Sequence, residues 1–157
     1  YDTSTKVNPP LRSESDVAAL RKALADGTID AIATDHAPHS PVEKEVEYEL
    51  AAPGMVGLET SVGLMLKLVD EGVLTLERMI TLMSHGPARV LSLPGGTLTE
   101  GSDASITVLD TGREWTVEPS RFKSKGRNTP FAGMALKGKA FMTVVRGRVV
   151  YRDAGDT

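Results

Sequence analysis

Asp35, His36 and His39 place one carboxylate and two of the chain's three histidines in a single short stretch. A carboxylate can ligate a divalent metal and also move protons, while an imidazole ligates metals or binds anions. Metal-assisted hydrolysis needs a water of lowered pKa and a nearby carboxylate to take and return its proton, which Asp35 could supply. The plainer reading is a capped loop, with Asp35 accepting backbone amides and both histidines exposed. A zinc site built wholly from these three residues is disfavoured. Pro38 prevents the helix that would set the histidines on one face, and zinc needs further ligands.

Asn8, beside Pro9 and Pro10, offers a donor and an acceptor on a stiffened loop and could read an amide or carboxylate edge; it also reads as an ordinary turn residue. Pro53-Gly54 is likewise either a turn or a place where backbone approaches a ligand, because Gly lacks a Cβ. Glu43 to Glu49 reads as a solvated loop face, and Lys123, Lys125 and Arg127 as a short basic loop. His85 reads as a cap at a helix break, and Met79 and Met83 as core. Neither a Gly-rich phosphate loop nor a G-x-S-x-G elbow is present.

These residues need elements to hold them. Ser13-Glu14-Ser15-Asp16 fits a capping box, Val17, Leu20 and Leu24 recur at helical spacing, and Gly27 is a suitable stop. Ile29 to Thr34 is a short apolar run suited to a buried strand that delivers Asp35 at its C-terminal end, where α/β enzymes present active sites. Residues 40–57 form a long connection, a length that often marks an active-site lid. Leu58, Val62, Met65, Leu66 and Val69 line one helix ending at Gly72; Leu76, Met79, Ile80 and Met83 line another, expected to break at His85-Gly86-Pro87 before a short helix through Leu93. Beyond Pro94-Gly95-Gly96 the pattern becomes β: Ile106–Leu109, Trp115–Val117, Phe141–Val145 and Val149–Tyr151, with Arg146-Gly147-Arg148 as a hairpin turn.

The chain has 157 residues, a net charge of −3 and no cysteine. That composition is typical of soluble globular proteins and excludes a disulfide framework, a Cys nucleophile and thiolate metal ligands. The acidic balance argues against nucleic-acid binding, and no apolar run approaches the roughly 18 residues of a membrane span. About 60 residues of short strands and a single α/β strand each need further partners to bury a core, so a piece of a longer protein is expected.

Three motifs then converge: Lys6-Val7-Asn8-Pro9-Pro10-Leu11-Arg12, Thr34-Asp35-His36-Ala37-Pro38-His39, and Pro53-Gly54-Met55-Val56-Gly57-Leu58-Glu59-Thr60. Together they resemble the C-terminal part of bacterial-type dihydroorotases, in the amidohydrolase superfamily. Gly96 to Ala104 and Lys125 to Phe131 extend the resemblance over essentially the whole chain. It implies an α/β fold: residues 1–95 as the C-terminal segment of a (β/α)8 TIM-type barrel, and residues 96–157 as part of a small β-sandwich-like composite domain. It also implies interconversion of N-carbamoyl-L-aspartate and dihydroorotate in pyrimidine synthesis, with one or two zinc ions.

By the same resemblance, Asp35 ligates one metal and relays the proton to the leaving nitrogen. Asn8 and His39 hold the substrate's carboxylate and ring edge, and Pro53 and Gly54 meet its ring through backbone groups. The family's upstream His-x-His pair, bridging acid and two further histidines have no counterpart here, so this stretch alone is expected to be inactive. A cytoplasmic homo-oligomer is expected, with a small-molecule substrate, no nucleic acid or membrane partner, and aspartate transcarbamoylase as a potential companion. The alternatives are a hydantoinase, dihydropyrimidinase or allantoinase, and a non-catalytic dihydroorotase-like scaffold.

Overall fold

The first helix forms where its capping box stands. In the computed structural model, which describes residues 1–153, Ser13 Oγ accepts from the Asp16 amide and Asp16 Oδ2 accepts from the Ser13 amide. The helix α1 runs Glu14–Asp26 and stops at Gly27, whose φ of 91° is left-handed. A short helix α2 (Pro41–Lys44) follows, then α3 (Leu58–Asp70) and α4 (Leu76–Ile80).

The expected break at His85-Gly86-Pro87 does not occur. A π-helical segment, Thr81–His85, carries α4 directly into α5 (Gly86–Val90), which ends short of Leu93. The Gly86 amide bonds to Thr81 O, five residues back. The widened turn relieves the clash a proline ring makes with the carbonyl of the preceding α-turn. Gly86 is required for packing as well, since a Cβ there would lie 2.1 Å from Asp30 O.

The expected strand at residues 29–34 has no ladder among the described residues. It is held instead by Ile32 N donating to Leu82 O, by Arg78 donating to Ile29 O, and by an Arg89–Asp30 ion pair of 2.6 Å. A strand exists only through neighbouring strands. The isolated bridge found here among the described residues is His36 with Met55, in parallel, one residue beyond Asp35.

The C-terminal region is one antiparallel sheet of three strands in the order β1 (Ile106–Thr116), β2 (Ala135–Val145), β3 (Arg148–Arg152). The two runs expected at 106–109 and 115–117 fall in a single strand, which ends at Thr116, one residue short of the second run's end, and is kinked by a bulge. There, Asp110 Oδ1 accepts from the Gly112 and Arg113 amides. The β2–β3 turn lies where expected, with Arg146 and Gly147 both at positive φ as a two-residue hairpin requires. No second sheet stands opposite among the described residues.

Two apolar clusters join the regions. Met65, Leu66, Leu74, Met79 and Leu82 form one, against which Ile29, Ile32 and Leu109 pack. Val56, Val117, Phe122 and Leu136 form the other. Helix α3 lies on β2 at two glycines: a Cβ on Gly63 would sit 3.1 Å from Leu136, and one on Gly138 (φ 92°) 2.0 Å from Leu66.

Candidate active site

The His36–Met55 bridge and an Ala37 N to Met55 O bond of 2.9 Å lay the 35–39 segment alongside residues 53–57. Three of the residues singled out from the sequence thereby meet. His39 Nε2 lies 3.2 Å from Pro53 O, and Gly54 packs so closely that a Cβ would sit 3.0 Å from the same nitrogen and 2.7 Å from Ala37 Cβ. At φ 141°, Gly54 also holds a backbone conformation that side chains resist.

Asn8 is exposed and precedes a cis bond to Pro9. Its loop reaches the same wall two residues earlier, where Lys6 O accepts from Gly54 N at 2.8 Å. Asp35 is exposed, sits at a left-handed φ of 44°, and makes no hydrogen bond or ion pair among the described residues. A non-glycine residue held at positive φ, with its carboxylate presented and unspent, fits a functional position.

His39 is more engaged than its sequence context suggests. Its Nδ1 stands 3.5 Å from Glu43 Oε1, and its backbone amide donates to Asn128 Oδ1 at 2.9 Å. Glu43 accepts from the Ser40 amide and hydroxyl, which with His39 hold its carboxyl below the usual range. The Gly54 backbone is also satisfied internally, its carbonyl accepting from Lys44 Nζ and Asn128 Nδ2, both at 3.1 Å.

The long 40–57 connection is accordingly pinned. Lys44 is buried and donates to Ala52 O and Gly54 O, while Lys6 donates to Tyr48 O and Glu49 O. Burial, and then the nearby Lys6 ammonium, lower the Lys44 pKa.

His36 has a different role from its neighbours. Helix α3 is preceded at its capping position by Gly57, which has no side chain to cap it. His36 Nδ1 accepts from the Gly57 and Leu58 amides at 3.2 and 3.4 Å and supplies the cap from outside. With Nδ1 accepting, Nε2 carries the hydrogen and faces Ser124 Oγ at 3.4 Å; that hydroxyl in turn donates to Glu59 Oε1 at 2.6 Å. Burial pushes the Glu59 pKa up, but the Ser124 hydroxyl and amide, its own amide and His36 together bring it below the ordinary value.

Sequence reasoning missed Asn128, Ser124 and Lys44, the three residues that tie these loops together. Asn128 and Ser124 lie at the ends of the basic loop around Lys125 and Arg127, but their partners are 65 to 91 residues away, beyond any local pattern.

Among the described residues, no three His, Asp or Glu side chains converge to hold a metal ion. The residues present fit one ligand of a metal centre, Asp35, and do not fit a complete one. No helix among them is long and apolar enough to cross a membrane.

The chain is similar to known proteins over nearly its whole length. Residues 5–150 match the model of the amidohydrolase family. Two curated relatives named dihydroorotase are 62% identical over 154 residues (Pelotomaculum thermopropionicum) and 56% identical over 153 (Syntrophus aciditrophicus), each match covering 98% of this chain. The chain spans 36% of the length of each. The solved L-hydantoinase (dihydropyrimidinase) of Arthrobacter aurescens superposes with a TM-score of 0.87 at 38% identity, over 94% of this chain and 34% of that one. The α/β architecture here is therefore of the TIM-barrel type, in a family of metal-dependent hydrolases. A family match over residues 5–150 and a solved relative superposing over 94% of the chain make this chain a member of the amidohydrolase family.

Proposed function

We propose that the protein carrying this chain is a dihydroorotase, closing N-carbamoyl-L-aspartate to dihydroorotate and reopening it. Residues 1–95 would be the C-terminal part of its barrel, and residues 96–157 the C-terminal part of a composite β domain. The observation that carries the reading is the wall formed by His39, Pro53 and Gly54 beside Asp35, which has no partner among the described residues. The relatives' names agree with it.

Zinc, when bound, would activate water and polarise the ring carbonyl, with Asp35 as one ligand. With no competing partner among the described residues, the Asp35 carboxylate can take a proton from water and give it to the leaving nitrogen. Attack and departure occur in sequence at one place, and one carboxylate serves both. His39 Nε2–H, which here donates to Pro53 O, turns to the substrate carboxylate as a donor; Asn8 adds a second polar contact. Pro53 and Gly54 bound the ring by backbone shape, because the Gly54 amide and carbonyl already have partners. A cytoplasmic homo-oligomer, with or without aspartate transcarbamoylase, belongs to the same proposal.

In the full-length protein, Asp35→Asn is expected to abolish turnover of dihydroorotate with the fold intact by circular dichroism. Near-normal turnover would remove Asp35 from the mechanism. His39→Ala is expected to raise KM for dihydroorotate; a loss of bound zinc with KM unchanged would make His39 a ligand instead.

The likeness to L-hydantoinase favours a second reading, a hydantoin-opening enzyme. The two part at the carboxylate, which dihydroorotate carries and hydantoin lacks. Rates on both substrates, measured with one preparation, decide between them.

A further inference from the structure

We infer that Asn128 is a positioning residue of the substrate wall, setting the gap between residues 37–39 and 54–56; the inference rests on the cyclic-amide reading above. Asn128 is 7% exposed, and every polar group of its side chain is spent on those two segments. Nδ2 donates to Ala37 O at 3.0 Å and to Gly54 O at 3.1 Å. Oδ1 accepts from His39 N at 2.9 Å. Its own carbonyl accepts from Val56 N at 2.9 Å, closing the bracket from the other side.

Only a planar amide meets this demand. Ala would leave the Ala37 carbonyl and the His39 amide without their partner and take from the Gly54 carbonyl one of its two donors, Lys44 Nζ remaining. Asp would keep the acceptor for His39 but turn its second oxygen onto the Ala37 and Gly54 carbonyls. The approach is shaped for Asn128 as well. Gly126 packs against Pro38, where a Cβ would lie 2.7 Å from Pro38 Cβ and 2.9 Å from Asn128 Oδ1.

Asn128 does not itself face the substrate. It fixes the backbone of His39 and of Gly54, whose side chain and close approach form the wall. The segment that precedes β2 thus reaches into the site, and the C-terminal region shares in substrate recognition.

The test uses the full-length protein. Asn128→Ala is expected to raise KM for dihydroorotate about tenfold or more while kcat stays within about threefold, since the wall loosens and the reacting groups do not change. Met79→Ala, in the apolar cluster away from the 37–39 loop, is the control for lost stability: it lowers Tm and leaves KM alone. An unchanged KM in folded Asn128→Ala, or a collapse of kcat at constant KM, overturns the inference. If Asn128→Ala does not fold, Asn128→Asp, of the same shape, is read by the same criteria. If the wild-type protein opens hydantoin and not dihydroorotate, the functional reading fails, and the Asn128 comparison is run on hydantoin.

Discussion

Helices α1 and α3 have the same length, 13 residues, and opposite logic. Helix α1 carries its own start and stop signals, the Ser13–Asp16 box and Gly27, yet buries no residue. Helix α3 has no cap of its own at Gly57 and buries Thr60, Gly63, Met65 and Leu66. Local signals specify the first, and tertiary contacts the second: His36 caps it from 21 residues upstream, and Leu136 fills the groove over Gly63. A helix whose ends are supplied by other elements is fixed in space as well as in conformation, and α3 is the one beside the site.

That contrast can be broken or sharpened by substitution, with stability read from urea unfolding of the protein. The largest effect is expected from Leu66→Ala, which leaves a cavity between α3 and β2 and costs about 3 kcal/mol. His36→Ala removes the external cap and strands two amides, for about 1–2 kcal/mol. An effect below that of an α1 cap would show that α3 does not depend on it. Ser13→Ala removes the α1 cap for about 1 kcal/mol. Leu20→Ala, on the bare face of α1, is expected to cost less than about 0.5 kcal/mol. A loss of several times that would mean another element packs on α1, and the contrast would fall.

Acid gives a smaller and complementary test. The Glu59 carboxyl is held below its ordinary value of 4.5, so its contribution to stability is present above that value and is lost as pH falls through the lowered one. The stability difference between wild type and Ser124→Ala should therefore shrink on acidification below about pH 4, the ordinary carboxylate range. A difference constant with pH would remove Ser124 as the cause of the shift.

What the sequence made legible follows the same division. The Ser13 box, the Gly27 stop and the Arg146–Gly147 turn are local, and each stands where the residues place it. The first half of β2, residues 135–140, does not look like strand in sequence because Ala, Lys and Gly are poor strand formers, although Leu136 and Gly138 alternate with the lysines; pairing with β1 overrides that composition. Residues 29–34 fail in the other direction, an apolar run that has the composition of a strand and no ladder beside it among the described residues. Pro87 looks like a breaker because its missing amide is visible, while the π turn that accommodates it is not.

At the site, Asp35 and His39 stand out by type and spacing, whereas Pro53 and Gly54 read as a turn and are singled out only by the resemblance. Asn128, Ser124 and Lys44 do not stand out, because a buried polar side chain is recognised by its partners, and those of Asn128 and Ser124 are distant in sequence while those of Lys44 lie across a loop.

The left-handed backbone at Asp35 bears on how its variants are to be interpreted. Asn and Asp adopt that conformation more readily than other side chains do. Replacement by Asn is thus conformationally silent and changes only charge and proton affinity. Replacement by Glu keeps the carboxylate but lengthens it and puts a less tolerant residue on strained backbone. The chemically conservative exchange is the geometrically disruptive one, so an inactive Glu variant would say little about chemistry, whereas an inactive Asn variant would speak to it directly.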